Sequence, residues 1–366
     1  MSRLEELLVS GGNSLYSAAV AIIQRSGKIE QIATTGQTAR FSDDGGTVAP
    51  PELIGSVTES TIFDFASLTK LFVTTTLLTL VEEGALALDE PVATWLPSFT
   101  GGERTAVTLR NLMTHTSGLP ALLSLWTDWP DRPARIDALL NCPLQHKPGT
   151  NFEYSCVGYL VAGLLAEKVT GVPLADLVRS RICEPLGLAD TGYLPSPERV
   201  ARTAATEYQP ATGQGSGRGM VRGEVHDENS WSLGGTGGNA GIFGTARDLA
   251  RFGEMLRGFG AVDGVRILSG DSVEQMTRDQ LPASIDPGYR HGLGVRIGDR
   301  NFMGVLAASG AFGHTGFTGT SLVVSRQEEL VVVLLTNRVH PSRDWSDIMH
   351  VRRGLAELSL LVPPNG

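Results

Sequence analysis

The sequence predicts an α+β chain in which one sheet is assembled from both termini around an all-α segment. Two observations carry this. Apolar, β-rich runs separated by turns lie towards the two ends, and capped, glycine-stopped helical patterns crowd the middle. A third is length: 366 residues suit about two domains, or one large domain with an insertion. The expected division is 1–84 with 232–366 for the sheet region and 85–231 for the all-α region.

The elements follow in order. Residues 3–10 form a short amphipathic helix. Residues 16–36 read as a hairpin: Ala18 to Ile23 is apolar, Arg25-Ser-Gly-Lys28 turns, and Ile29 to Thr35 returns. After a loop over 42–56, the segment Phe63 to Val81 is apolar nearly all round, which predicts a buried helix stopped by Glu82-Glu83-Gly84. Further helices are expected within Val107–Gly118, over Gly158–Val169, and from Pro173 to Cys183. The glycine-rich stretch 209–223 reads as an exposed loop. Thr245 caps a helix over Ala246–Arg257, and Gly258 ends it. Strands are then expected over Gly292–Ile297, Asn301–Ala307, Gly319–Ser325 and Leu330–Asn337, with a closing helix over Asp344–Leu361.

Composition narrows the function. Hydrophobic residues make up 41 % and charged residues 19 %, which excludes a disordered or a membrane-spanning chain. The net charge of −9, with no basic block, argues against nucleic acid and anionic membranes as partners. Cys142, Cys156 and Cys183 fit neither a disulfide framework nor a zinc pattern, and read as reduced, mostly buried thiols. The histidines show no metal-ligand spacing, so neither a metal nor a cofactor is expected. The N-terminus Met-Ser-Arg-Leu-Glu-Glu carries acids where an export signal needs basic residues, so a cytoplasmic protein is expected. Oligomeric state is not readable.

Three segments can do chemistry. Lys70 is one of four lysines and lies inside the apolar run, three residues after Ser67. On a helix the two share a face, and burial that lowers the lysine's proton affinity makes it a base for a serine nucleophile. The same residues also fit a lysine snorkelling at the edge of a core helix. Tyr154 stands just before a helix, and becomes a base only beside a cation such as Lys70. By itself it also fits a half-buried core position. The run Gly313-His314-Thr315-Gly316-Phe317-Thr318-Gly319 lets a ligand approach a strand backbone, and also fits a bulge or hairpin.

The order Ser-x-x-Lys, Tyr-Ser-x, His-Thr-Gly resembles the serine β-lactamase and penicillin-binding-protein superfamily. It is most similar to the class C β-lactamase-like serine hydrolases, which include esterases, D-peptidases and acyltransferases. Leu112-Met-Thr-His-Thr-Ser-Gly-Leu-Pro120, Lys147-Pro-Gly-Thr150, Pro185-Leu-Gly-Leu188 and Gly241-Ile-Phe-Gly-Thr-Ala-Arg-Asp-Leu-Ala250 add to the likeness, which runs from about residue 16 to 340. The resemblance implies a β-lactamase/transpeptidase-like fold: an antiparallel sheet flanked by helices, with the site in the cleft between the two regions. It implies Ser67 as nucleophile, Lys70 as base and Tyr154 as general acid/base. It also implies an oxyanion hole from the N–H groups of Ser67 and Phe317, with Gly316 beside them.

Two positions depart from the β-lactamase pattern. Cys156 stands where that pattern has an asparagine, and His314 where it has a lysine. Both changes weaken recognition of β-lactams and peptide C-termini, because imidazole is mostly neutral near pH 7. The expected activity is hydrolysis of a small ester or amide through an acyl-enzyme, foremost a carboxylic ester. The alternatives are an acyltransferase on a specialised metabolite, a β-lactamase or D-peptidase, and a non-catalytic binding module. His226 and its neighbours are expected near the cleft. Trp126, Trp129 and Trp231 are candidates for an apolar pocket wall, or for core packing.

Overall fold

The apolar runs at the two ends of the chain pair with each other. A computed structural model describes residues 1–12, 14–211 and 216–361. Its strands, in chain order, are β1 (Ala18–Arg25), β2 (Lys28–Gly36), β3 (Phe63–Asp64), β4 (Gly192–Tyr193), β5 (Tyr208–Gln209), β6 (Gly219–Met220) and β7 (Ile242–Gly244). After them come β8 (Ala261–Val262), β9 (Val265–Arg266), β10 (Arg290–His291), β11 (Arg296–Ile297), β12 (Phe312–Thr315), β13 (Ser321–Ser325) and β14 (Leu330–Thr336). Seven of them make one antiparallel sheet in the order β10-β11-β12-β13-β14-β1-β2. β1 and β14 are neighbouring interior strands, in register from Ala19 opposite Thr336 to Arg25 opposite Leu330. Almost every side chain of both is buried, because helices cover both faces.

On one face lie the helices Arg3–Gly11 and Met349–Leu361, packed through Leu4, Leu8, Val351 and Leu355. The other face takes the helix Ala246–Arg257, whose Thr245 cap and Gly258 stop match the sequence reading. Gly253 lets that helix sit close: a Cβ there would lie 2.7 Å from Val331 Cγ1. Behind it runs the helix Thr69–Glu82, buried all round from Thr69 to Leu80. Its Phe72 stacks on Phe252 with ring centroids 4.0 Å apart. The helix Cys156–Thr170 packs beside it.

Four expectations need correction. Residues 301–307 are helical: Asp299 caps the Asn301 N–H, and Phe302, Met303 and Leu306 pack one face against the C-terminal helix. The strand expected over 292–297 survives only as β11, because Gly292-Leu-Gly294 turns, with Gly294 at φ +69° donating its N–H to Met113 O. The closing helix starts at Met349, not Asp344. The segment 85–231 is not wholly α: it holds β4, β5 and β6, and β4 joins β3 and β7 in a second small sheet. Within the loop expected over 209–223, Gln209 and Val221 are buried, and residues 212–215 lie outside the described residues. Among the described residues no single helix is long and apolar enough to cross a membrane.

Phe72→Ala removes a fully buried ring from this stack, and should lower the unfolding free energy by about 3–5 kcal/mol in denaturant titration.

Candidate active site

Ser67 sits on a single 3-10 turn, Ala66–Leu68, between β3 and the helix Thr69–Glu82, rather than inside one continuous helix. The turn is held by Asp64, whose buried carboxylate accepts the Ala66 N–H at 2.8 Å and the His226 N–H at 2.7 Å. Ala66 has φ +47°, a conformation disfavoured for a residue with a Cβ and sustained here by these bonds.

The i,i+3 relation survives the tighter turn. Lys70 Nζ lies 3.0 Å from Ser67 Oγ and 3.0 Å from the Asn239 carbonyl oxygen, and 3.8 Å from Cys156 Sγ. It is 5.0 Å from the centre of the Tyr154 ring. Lys70 is fully buried. Burial alone disfavours the ammonium, but the Cys156 thiolate and Tyr154 phenolate forms favour it, and the balance raises the lysine's pKa. The groups around its Nζ are acceptors.

Tyr154 is placed by His115. The His115 carbonyl accepts the Glu153 N–H at 2.9 Å, and its Nδ1 accepts the Ser155 N–H at 3.1 Å. The imidazole lies 4.5 Å from the Tyr154 ring. Ser155 then caps the helix Cys156–Thr170 by accepting the Gly158 N–H. The Leu112–Pro120 stretch thus supplies a clamp for the tyrosine, a role its sequence alone did not reveal.

The β12–β13 turn is tied to the segment just before Ser67. Thr318 Oγ1 donates to Asp64 O at 2.8 Å, and Thr320 Oγ1 donates to Phe65 O at 2.9 Å. A Cβ on Gly316 would come within 2.4 Å of Phe65 O, so only glycine permits this approach. The ties set Phe317 and Ser67 on one cavity wall. Neither the Ser67 N–H nor the Phe317 N–H has an acceptor among the described residues.

The cavity measures about 680 Å³. Ser67, Tyr154, Cys156 and Gly316 line it, together with an apolar rim that includes Leu122, Trp126 and Phe317. His314 is buried outside this wall, its Nδ1 against Thr315 O and its ring 5.8 Å from that of Tyr154. Arg296, Arg338, Arg343 and Arg352 also line the cavity, and the Arg296 guanidinium, on the adjacent strand β11, lies 5.5 Å from the Tyr154 ring. Trp129 packs on the main core, and Trp231 lies under the Arg218 guanidinium.

His226 reaches the cavity wall with one ring nitrogen bonded. Its Nε2 is 2.8 Å from Glu207, and its ring stacks on Phe317. Burial works against the Glu207 carboxylate, yet hydrogen bonds from His226 and Arg343 pull its pKa to about 2. The cysteines are unpaired, with Cys142 and Cys183 buried. Among the described residues no group of three or more His, Cys, Asp or Glu could hold a metal ion. Asp64, His115, Asn239 and Arg296 are the site residues that sequence reasoning missed.

Comparison with known proteins adds the family. Residues 10–356 match the Beta-lactamase family model. The N-acetylmuramyl-L-alanine amidase of Bacillus subtilis (strain 168) is 29 % identical over 351 residues, covering 89 % of this chain and 78 % of that protein. A class C beta-lactamase superposes with TM-score 0.77 at 19 % identity, over 99 % of this chain and 96 % of that one. EstCE1, a hydrolase with promiscuous acyltransferase activity, superposes with TM-score 0.73 at 22 % identity, over 97 % of both chains. The fold is that of the β-lactamases and penicillin-binding proteins, and the chain belongs to the Beta-lactamase family of serine hydrolases.

Burial holds the imidazoles of His291 and His340 down to about 4, and pushes those of His115 and His314 well below their usual range. Below about pH 6.5 the unfolded chain therefore binds more protons than the folded one. The stability carried by these neutral rings is complete above that pH and declines as the pH falls towards 4. Denaturant titrations at pH 7, 6 and 5 should give successively smaller unfolding free energies; a flat or rising series contradicts this.

Proposed function

We propose that the protein hydrolyses small carboxylic esters through an acyl-enzyme on Ser67. The observation that carries this reading is the 3.0 Å contact between Ser67 Oγ and the buried Lys70 Nζ, at the floor of a cavity with an apolar rim.

In this reading Ser67 Oγ attacks the ester carbonyl carbon, and its proton passes to the Lys70–Tyr154 pair. The carbonyl oxygen becomes an oxyanion that accepts from the Ser67 and Phe317 N–H groups, which have no competing acceptor among the described residues. The C–O bond to the alcohol breaks, and Tyr154 returns a proton to the leaving oxygen. Water then attacks the acyl carbon as Tyr154 takes its proton, the bond from that carbon to Ser67 Oγ breaks, and the proton passes from Tyr154 to Oγ, which releases the carboxylic acid and restores the serine. Asn239 keeps Lys70 in place through its carbonyl oxygen, and His115 keeps Tyr154 in place through the two peptides that flank it.

Acyl transfer is the second reading. The apolar rim favours it, since an alcohol held there replaces water as acceptor, and so does the acyltransferase activity described for EstCE1. Arg296 in the wall keeps substrates with an anionic group within reach, so peptide and β-lactam substrates belong in the same comparison.

Two measurements test the proposal. With p-nitrophenyl acetate and butyrate, Ser67→Ala should lose at least about 1,000-fold in kcat and keep its melting temperature. A variant that keeps most of the activity refutes the assignment. Among short esters, cephalosporins and D-alanyl peptides, kcat/KM should be highest for the esters. Cephalosporin or peptide turnover that rivals it reverses the ranking.

A further inference from the structure

Arg352 is a buried cation whose bonds run to the backbone. It lies on the C-terminal helix Met349–Leu361, 7 % exposed, and is among the residues that line the cavity. One terminal nitrogen donates to Gly316 O at 3.1 Å and to Thr320 O at 2.9 Å. The other terminal nitrogen contacts Met349 Sδ at 3.5 Å, and Nε has no acceptor among the described residues. None of these partners is a carboxylate. Asp347 favours the charge only from a distance, without a hydrogen bond, and an apolar side chain would pack beside Met349 without the cost of burying a charge. Burial, with Arg338 and Arg296 nearby, pulls the guanidinium pKa down to about 9, which leaves it charged at neutral pH.

What the charge touches gives it a use. The Gly316 carbonyl and the Phe317 N–H belong to one peptide group. A cation hydrogen-bonded to an amide oxygen draws electron density from its nitrogen and strengthens the N–H as a donor. The Thr320 carbonyl, the second partner, also accepts the Gly316 N–H at 2.8 Å, so the same guanidinium fixes both strands of the turn.

We propose that Arg352 is a positioning residue of the oxyanion hole, holding and polarising the Gly316–Phe317 peptide so that its N–H meets the developing oxyanion. The proposal rests on the reading of Phe317 N–H as an oxyanion donor. It predicts that the charge of Arg352 acts on the transition state rather than on substrate binding.

The test uses the full chain with Arg352→Met and Arg352→Lys, and a neutral ester, p-nitrophenyl butyrate. A fluorophosphonate counts competent sites by mass, and kcat is expressed per labelled Ser67. A carbonyl-¹³C ester gives the C=O stretching band of the acyl-enzyme. Arg352→Met should lower kcat per labelled site by about 10- to 100-fold, leave KM within about threefold, and move the band to higher wavenumber. Arg352→Lys, whose ammonium can reach the same carbonyls, should recover most of the rate. Should Arg352→Met not fold, Arg352→Gln, which keeps a donor and removes the charge, gives the same readings. The proposal is overturned by a rate per labelled site within twofold of wild type, by a loss confined to KM, by an unshifted band, or by a lysine variant as slow as the methionine one. A wild type that is not labelled at Ser67 instead removes the reading beneath it, which is a separate result.

Discussion

The primary constraint is a lysine ammonium placed where water cannot reach it. Lys70 lies on a helix buried on every side, and such a charge is tolerable only if acceptors surround it. The chain supplies them from one turn away, at Ser67, and from two distant segments: Cys156 at the start of the helix Cys156–Thr170, and the carbonyl of Asn239 in a glycine-rich loop. Bringing these together fixes how the helix Cys156–Thr170 and the loop bearing Asn239 sit against the helix Thr69–Glu82. The cavity lies beside them.

The second constraint is backbone. The turn that carries Ser67 begins at a residue with positive φ, and is held there by a buried aspartate below and two threonine hydroxyls from the β12–β13 turn above. The same bonds bring two peptide N–H groups to one wall and leave both without an acceptor among the described residues. Asp64 links this turn to the His226 segment, whose own charge network with Glu207 and Arg343 packs under Phe317. Scaffold and site therefore share their hydrogen bonds.

Much of this was legible in the sequence, because periodicity and capping are local. The hairpin of β1 and β2, the greater part of the buried helix expected over Phe63–Val81, and the capped helix Ala246–Arg257 follow from residue spacing alone. The likeness to the β-lactamase superfamily drew attention to Ser67, Lys70 and Tyr154, and the fold brings them together at one cavity. What escaped were partners joined only by tertiary packing. Nothing near His115 in sequence announces that it brackets Tyr154. Asn239 acts through its carbonyl, which every residue has. Arg296 and Arg352 reach the cavity from a short strand and from the last helix, and their spacing to Ser67 exists only in the folded chain. Residues 301–307 misled because an apolar run of that length suits either a strand or a helix, and the Asp299 cap decides.

The central claim is that Ser67, and not the neighbouring thiol of Cys156, carries the acyl group. Both line the cavity, and both lie against Lys70 Nζ. The most direct measurement is acid quench of the enzyme during turnover of p-nitrophenyl butyrate, followed by peptide mass mapping of the trapped acyl group. The account predicts a butyryl group on the peptide bearing Ser67, absent from Ser67→Ala and retained in Cys156→Ser. An acyl group on Cys156, or turnover with no acylated peptide, contradicts it.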